Sequence, residues 1–337
     1  MAARRKRGIC PAVLATAVAW AAMTAPAAGD LHLGPGRTLR DGAEALDVGI
    51  YSVPVFHDWT GDGAADLIVG QCTEGKVRLY PNVGTPAAPA FDGWSYMQAD
   101  ADALTVGGTG CMGAFPRVVD WNADGRDDLL VGDAFGTVQV FIDGGAGGSP
   151  YLFGGEYLQV GPAGAKVDVD VGDRAAPALV DWNADGAKDL VIGAADGYLT
   201  LLVNEGADGA PDFLVASRVP DSLAGGDLVV PGLRSSPFLA DLTDDGLPDL
   251  LVGNTDGRLL LYTNVGTAGA PAFGAYAYVE AAGVPLDLPG DARSRPFVCD
   301  WTGDGRHDVL LGAADGMVYL YEGVPEPATL ALVAMKV

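Results

Sequence analysis

Five acidic nine-residue loops are the part of this sequence with the clearest capacity for chemistry. Each loop has aspartate at positions 1, 5 and 9 and glycine at position 6. They span residues 58–66, 120–128, 181–189, 241–249 and 300–308, and their first aspartates lie 62, 61, 60 and 59 residues apart. Oxygen donors around a glycine turn suit a hard cation such as Ca²⁺, which takes roughly six to eight oxygen ligands.

Every loop offers the same set of predicted calcium ligands. These are the carboxylates at positions 1, 5 and 9, the threonine or asparagine side chain at position 3, and the backbone carbonyl at position 7. The predicted ligands are Asp58, Thr60, Asp62, Ala64 and Asp66; Asp120, Asn122, Asp124, Arg126 and Asp128; Asp181, Asn183, Asp185, Ala187 and Asp189; Asp241, Thr243, Asp245, Leu247 and Asp249; and Asp300, Thr302, Asp304, Arg306 and Asp308. We therefore predict up to five calcium ions, held more weakly where threonine occupies position 3.

The loops allow other interpretations. Asp, Asn and Gly are also good turn formers, but five copies with one internal spacing favour metal binding. Mg²⁺ fits less well, because it keeps water and rarely uses an all-protein cage. An EF-hand would need glutamate at position 12, where the first loop has Val69. The tryptophan at position 2 could stack on a sugar or pack the loop against its neighbour, and Leu242 in the fourth loop favours packing.

Four strand-like runs in each repeat are predicted to position these loops. In the fourth repeat an apolar run at 237–240 enters the loop, and a second at 249–253 leaves it. An Asp-Gly turn signal at Asp256 then precedes an alternating run at 257–262, and a looser run follows at 276–280. Regular repeats of about 60 residues without helical periodicity are typical of propeller blades. The predicted fold is an all-β, five-bladed β-propeller with four antiparallel strands in each blade.

The two ends of the chain indicate how the ring closes. The fifth repeat stops after its third strand, at Tyr321. Residues 30–48, ahead of the first loop, resemble the fourth-strand region at 157–171, with residues 30–34 aligned on residues 157–161. We predict that this N-terminal segment completes the last blade, which removes the open sheet edges.

Charge and targeting signals restrict the setting of the protein. The formal net charge is −24, which argues against nucleic-acid binding and against anionic membrane surfaces. A basic stretch, an apolar run and a small-x-small site predict a signal peptide at residues 1–28, with an uncleaved anchor as the alternative. The propeller is then assigned to 29–323 and a tail to 324–337.

Three cysteines remain after removal of such a signal peptide. Cys72 and Cys111 fall in loops of neighbouring repeats and are a candidate disulfide pair, although both could be unpaired thiols. Cys299 takes a position held by small apolar residues in other repeats and is interpreted as a small buried residue.

The loops, the run at 249–253 and the segment 262–273 together resemble the FG-GAP/VCBS repeat family. The resemblance covers nearly all of residues 45–323. It implies an integrin-alpha-like calcium-binding β-propeller of a cell-surface or secreted protein, although that family often has seven blades where this chain shows five. It does not imply one ligand or one reaction.

The C-terminal tail carries a second resemblance. Residues 324–330, which begin Val-Pro-Glu-Pro, are similar to the opening of a PEP-CTERM sorting tail. The membrane-spanning helix and arginine cluster of that family do not follow, so the tail is truncated, vestigial or a chance linker. A sorting tail is the one predicted route of membrane attachment.

These observations predict an exported, calcium-binding module at the cell surface or outside the cell, with a polysaccharide or a surface protein as partner. The irregular segments 97–113 and 220–234 are the candidate contact surfaces. One alternative is a structural component of the envelope or matrix without a specific ligand. A polysaccharide-degrading enzyme, either a glycoside hydrolase or a lyase, is the other. Because His32, His57 and His307 have no recognisable serine or cysteine partner, the sequence-based prediction is that the protein is not an enzyme.

Overall fold

The computed structural model describes residues 31–107, 110–111, 113–145, 150–289 and 293–325. Within these residues every regular element is a β-strand, and the described part contains no helix long and apolar enough to cross a membrane. The predicted signal peptide, residues 1–28, and residues 326–337 of the predicted tail lie outside the described residues.

The strands form five blades joined by short hairpins. The N-terminal strands are β1 (Arg37–Thr38), β2 (Arg40–Asp41) and β3 (Glu44–Ala45). Blade 1 contains β4 (Val53–His57), β5 (Asp66–Gly70), β6 (Val77–Tyr80) and β7 (Ser95–Tyr96), and the hairpin β8 (Gln98–Ala99) and β9 (Asp102–Ala103) follows. Blade 2 contains β10 (Phe115–Val119), β11 (Asp128–Gly132), β12 (Val138–Asp143) and β13 (Leu152–Tyr157), followed by β14 (Gln159–Val160) and β15 (Val167–Asp168).

The remaining blades repeat this order. Blade 3 contains β16 (Ala176–Val180), β17 (Asp189–Gly193), β18 (Leu199–Asn204) and β19 (Phe213–Arg218). Blade 4 contains β20 (Ser236–Ala240), β21 (Asp249–Gly253), β22 (Leu259–Tyr262) and β23 (Ala277–Tyr278), followed by β24 (Glu280–Ala281) and β25 (Val284–Pro285). Blade 5 contains β26 (Arg295–Cys299), β27 (Asp308–Gly312) and β28 (Val318–Tyr321). The predicted all-β five-bladed propeller is confirmed.

The second strand of each blade is buried along its whole length, as its apolar sequence predicts. It pairs antiparallel with the strands on both sides; in blade 3, Val180 pairs with Asp189 and Gly193 pairs with Leu199. The hydrophobic core divides into five main clusters, each of which joins two adjacent blades. Burial between blades therefore stabilises the ring as a whole.

The N-terminal segment completes blade 5, as predicted, but through other residues than the sequence alignment suggested. Arg37 pairs with Leu320 and Thr38 with Tyr319, so β1 is the fourth strand of this blade. Leu39 then donates its N–H to the Val318 carbonyl, as Leu158 does to Val138 in blade 2. The alignment of residues 30–34 with residues 157–161 was wrong, because Leu31-His-Leu-Gly34 resembles Leu158-Gln-Val-Gly161 in sequence, whereas Leu39 takes the place of Leu158 in the structure.

Backbones of adjacent blades meet at the glycine that ends each second strand. A Cβ atom there would lie only 2.0 to 2.2 Å from a carbonyl oxygen of the next blade. These glycines are Gly70, Gly132, Gly193, Gly253 and Gly312. The Gly312 contact is with Ser52, so it joins the fifth blade to the first and closes the ring.

Substitution of Gly193 by alanine tests this close approach. The new methyl group would meet the Ser235 carbonyl at 2.2 Å, and a backbone atom cannot rotate away. We expect the free energy of unfolding, measured by denaturant titration, to fall by about 1–3 kcal/mol. Gly34→Ala is the matched control, because its Cβ has more room: the nearest atoms are a Val324 methyl carbon at 3.1 Å and the Glu322 carbonyl oxygen at 3.4 Å. Equal losses in the two variants would contradict the proposed close contact between blades.

Candidate metal loops

Each loop lies between the first and second strands of a blade, and its first aspartate organises the turn. In the third loop Asp181 accepts hydrogen bonds from the N–H groups of Asp185 and Gly186, both at 3.0 Å. The other four loops contain the same two bonds. Position 4 has a positive φ, 58° at Ala184, and so does the glycine at position 6, 85° at Gly186. The glycine requirement at position 6 therefore has a direct conformational cause.

The position-5 carboxylate faces the same turn. It accepts the N–H of the residue at position 7 in all five loops. In the second and fifth loops that residue is an arginine, and its guanidinium also pairs with the carboxylate: Arg126 with Asp124 at 2.5 Å, and Arg306 with Asp304. In these two loops the guanidinium group would compete with a metal ion for the position-5 oxygens.

The position-9 aspartate is the deepest member of each loop and is fully buried in all five. In the third loop, one carboxylate oxygen of Asp189 accepts the N–H of Trp182 at 2.7 Å, and the other accepts the N–H of Asn204 at 2.7 Å. Burial raises the pKa of Asp128, Asp189, Asp249 and Asp308. Burial of a carboxylate is costly unless hydrogen bonds or a counter-ion balance its charge, and the backbone N–H donors supply part of that balance.

In four loops, sequence reasoning missed the partner of position 9, which lies at or just beyond the end of the third strand. Asn82, Asp143, Asn204 and Asn264 are buried at this place, and each donates its N–H to the loop carboxylate. Each also accepts, at its side-chain oxygen, the N–H groups of residues two and eight positions later. The available signal was an Asn or Asp recurring 15 or 16 residues after position 9.

Position 3 provides the test of whether a cation fits. The hydroxyl oxygens of Thr60, Thr243 and Thr302 are buried and have no hydrogen-bond partner. Thr243 lies near Asp249 and opposes the burial effect that raises the pKa of that carboxylate, but its geometry falls short of a hydrogen bond. In the other two loops the Asn122 and Asn183 oxygens accept the N–H of the position-5 aspartate, both at 3.0 Å. Unpaired buried oxygens beside carboxylates fit the donor set of a hard cation.

The structure brings the predicted ligands of each loop into one turn without closing them around a metal-sized centre. Among the described residues, no group of three or more His, Cys, Asp or Glu side chains is arranged to hold an ion. Calcium binding at these positions is therefore taken up below as a proposal.

The position-2 side chains pack the loops onto neighbouring blades. Trp301 stacks on Phe56 with ring centroids 4.5 Å apart and meets Phe91 edge-on at 6.0 Å. Trp182 packs 5.8 Å from Phe273 of the following blade. Trp59, Trp182, Trp301 and Leu242 are all buried. The interpretation of these residues as packing wedges is confirmed for these four loops.

Cys72 and Cys111 form a disulfide in the structure, with their Cα atoms 4.6 Å apart. Cys72 belongs to the turn between β5 and β6, and Cys111 precedes blade 2, so the bond ties this irregular segment to blade 1. Cys299 is an unpaired, partly buried cysteine whose thiol pKa is raised by burial.

Removal of the disulfide is expected to destabilise the protein. The bond closes a loop with a sequence separation of 39 residues, for which chain entropy gives about 4 kcal/mol. We expect the double variant Cys72→Ser and Cys111→Ser to lose most of this in denaturant unfolding. A reducing agent should shift wild type towards the variant and leave the variant unchanged. An unchanged midpoint for wild type under reduction would show that the bond does not form.

The central channel is lined by alternate residues of the five inner strands. A cavity of about 200 Å³ lies at the level of Val55, Arg117, Ala178, Phe238 and Phe297. A smaller cavity of about 20 Å³ lies towards one mouth, where Arg174, Arg234, Arg293 and Arg295 meet Phe115. No aspartate or glutamate is among the described residues that line either cavity.

Part of the chain is similar to known proteins: residues 241–311 match the family described as an FG-GAP-like repeat. The chain is 28% identical over 252 residues to integrin alpha ina-1 of Caenorhabditis elegans, covering 65% of this chain and 21% of that protein. It is 27% identical over 165 residues to integrin alpha-3 of Cricetulus griseus, covering 44% of this chain and 15% of that protein. The chain thus spans about a fifth or less of these relatives.

Two solved structures share the fold. The GH43_1 enzyme from Xanthomonas citri has a TM-score of 0.51 and 12% identity, covering 88% of this chain and 92% of that chain. CoXyl43, a GH43 beta-xylosidase/alpha-arabinofuranosidase from a compost microbial metagenome, has a TM-score of 0.52 and 10% identity, covering 87% and 96%. At these identities the likeness concerns the fold alone.

These two structures overturn the prediction that the protein is not an enzyme. That prediction relied on the sequence spacing of the histidines, which matches no serine or cysteine nucleophile arrangement. Glycoside hydrolysis needs only a pair of carboxylates, which a search for histidine partners does not detect, and this fold is one that GH43 enzymes use.

The strand order and the family match together define the chain. It is an all-β, five-bladed propeller that carries an FG-GAP-like repeat at residues 241–311.

Proposed function

We propose that this protein is an exported, calcium-binding propeller that acts as a binding module at the cell surface or outside the cell. The observation that carries the proposal is one loop geometry repeated five times, with the same carboxylate hydrogen bonds and three buried, unpaired threonine hydroxyls. Such a ring presents loops between strands on a rigid scaffold, which is a common basis for recognition.

Calcium in these loops would neutralise carboxylates that the fold holds close together. The ligands would be the oxygens at positions 1, 3, 5, 7 and 9 named above, in up to five loops. Binding in the second and fifth loops would compete with the Arg126–Asp124 and Arg306–Asp304 ion pairs. We therefore expect these two loops to bind calcium less tightly than the third loop, where alanine occupies position 7.

Two observations support an extracellular setting. Disulfides are typical of oxidising compartments, and the structure contains one between Cys72 and Cys111. The similarity to integrin alpha chains agrees with a cell-surface role. We extend the proposal to a signal peptide at residues 1–28, VCBS-type repeats through residue 323 and a PEP-CTERM-like tail at 324–337.

The ligand is proposed to be a surface protein or a polysaccharide. Similarity to integrin alpha chains favours a protein. The segment 220–234, one of the predicted contact surfaces, ends at Arg234 in the channel mouth. Its Leu223, Val229 and Leu233 are exposed, and Leu233 directly precedes Arg234, so the segment offers an apolar contact next to positive charge.

The proposal is tested by binding, in calcium and in chelator, to a glycan array and to extracellular proteins from a culture. We expect at least one ligand to bind in calcium and to be released by chelator. Absence of binding in both conditions would favour a structural role without a specific ligand. Because GH43 enzymes share the fold, the glycans should also be assayed for new reducing ends, and their release would replace the binding proposal with a hydrolase.

A further inference from the structure

Four arginines surround one end of the central channel in a chain whose formal net charge is −24. Arg174, Arg234 and Arg293 occupy the same place in blades 3, 4 and 5, two residues before the inner strand begins. Arg295 is the first residue of the inner strand of blade 5. We call these four residues the arginine mouth. They line one small cavity together with Phe115 and Asn254.

The backbone holds three of these arginines in a conformation that bulky residues disfavour. The φ angles are 67° at Arg174, 53° at Arg234 and 47° at Arg293. The equivalent places in blades 1 and 2 are Tyr51, with a φ of 56°, and Gly113, with a φ of 60°. Glycine satisfies this geometry without strain, so three arginines in strained conformations at one mouth need another explanation.

The guanidinium groups gather around one aromatic ring. The guanidinium carbon of Arg293 lies 4.6 Å from the centroid of Tyr51, that of Arg295 lies 5.1 Å away, and that of Arg174 lies 5.6 Å away. Arg295 also lies 5.8 Å from the Phe115 ring. Cation–π contacts offset part of the cost of collecting these charges, but they leave the N–H donors in the plane of each guanidinium available.

Several of those donors are buried without a partner. Arg234 Nη1, Arg293 Nε and Arg293 Nη1 have no hydrogen bond. Arg295 is only 5% exposed, and its Nη1 donates a hydrogen bond to the Arg293 carbonyl at 3.0 Å. Among the described residues none of the four forms an ion pair, although Asp173 is close enough to act on Arg174. A buried charge without a counter-ion is costly.

The mouth is shaped for a small anionic group. Its cavity of about 20 Å³ holds roughly one or two water molecules, and Phe115, which lines it, belongs to a buried apolar cluster with Val53 and Ala176. The planar fork of a guanidinium matches the two oxygens of a carboxylate. A positive pocket in an acidic protein also concentrates anions locally.

We propose that the arginine mouth binds a carboxylate group of a ligand, with Arg234, Arg293 and Arg295 donating to its oxygens. The site is separate from the calcium loops and does not depend on their occupancy. The mouth is positively charged, whereas the catalytic pair of a glycoside hydrolase consists of two carboxyl groups. We therefore assign the mouth to the binding of an acidic ligand.

The proposal is tested with sodium glucuronate as the probe, glucose as its neutral match, and sodium sulfate as a second anion. Calcium and sodium concentrations are kept constant. We expect glucuronate to raise the melting temperature in a saturable way, because a ligand that binds the folded state stabilises it. Glucose should have no effect. A rise with sulfate but not with glucuronate would overturn the assignment to carboxylate, and no rise with either would overturn the site.

Three variants test whether glucuronate binds at the arginine mouth. Arg295→Leu removes the most buried charge and should weaken glucuronate binding at least tenfold in calorimetry while raising the melting temperature of the ligand-free protein. Arg234→Leu should weaken binding similarly and serves if the first variant does not fold. Arg40→Leu, at an exposed arginine outside the mouth, changes the net charge equally and should bind like wild type. Equal loss in all three would show that net charge, and not the mouth, controls binding.

Discussion

Transfer of this protein from excess calcium to a chelator is expected to lower its melting temperature by more than about 15 °C. Each loop holds three aspartates in one turn, and position 9 is a fully buried carboxylate whose pKa is raised by burial in four loops. An ion at 100 times its dissociation constant adds about 2.7 kcal/mol per site, and each kcal/mol is worth about 1.5–2 °C in a folded chain of about 300 residues. Several occupied loops therefore have a large combined effect. Calorimetric scans in calcium and in chelator measure it.

A single-loop variant separates metal binding from general charge effects. Asp185→Ala removes the position-5 ligand of the third loop, so it should lower the melting temperature in calcium and change it little in chelator. Glu205→Ala is the matched control, since it removes one exposed carboxylate outside the loops. If calcium and chelator give the same melting temperature for wild type, the metal interpretation fails.

Removal of the closing segment is expected to be as damaging as loss of calcium. A chain that starts at residue 49 lacks β1 and the buried side chains Leu39, Leu46 and Val48, which are 2%, 0% and 1% exposed. At about 1.5–3 kcal/mol for each buried aliphatic side chain, the loss approaches the whole stability of a typical domain. It also leaves β28 as an open edge, which favours aggregation. We expect the truncated chain to lose its cooperative unfolding transition or to aggregate.

A chain that starts at residue 31 is the control for this truncation, because it keeps every described residue. It should unfold cooperatively and remain monomeric in size-exclusion chromatography. If the chain starting at residue 49 behaves like this control, the N-terminal segment does not close the ring.

The fold was predictable because its signals recur. Asp-Gly turns, apolar second strands and loops at intervals of 59 to 62 residues all indicate the same blade, so an error in one repeat is corrected by the others. Closure of the ring by the N-terminal segment was predictable, because the last repeat lacks a fourth strand and the N-terminus has a spare one. The register of the closing strand was not predictable, because residues 31–34 resemble residues 158–161 in sequence, whereas Leu39 takes the place of Leu158 in the structure.

The features that sequence reasoning missed depend on residues that are distant along the chain. Asn204 and Asp189 are linked by a hydrogen bond between strands; their spacing recurs in the sequence, but the contact itself depends on the register of β17 and β18. The arginine mouth collects Arg174, Arg234, Arg293 and Arg295 from three blades. In the sequence these are isolated basic residues in an acidic chain, and the ring geometry brings them together.

Calcium stoichiometry tests most directly the claim that the loops are metal sites. Wild-type protein and Asp185→Ala, each equilibrated with calcium and passed through gel filtration, would be measured by elemental analysis. We predict up to five ions per wild-type chain and one fewer in the variant. Absence of calcium from the wild-type protein, or the same number of ions in both proteins, would contradict the claim.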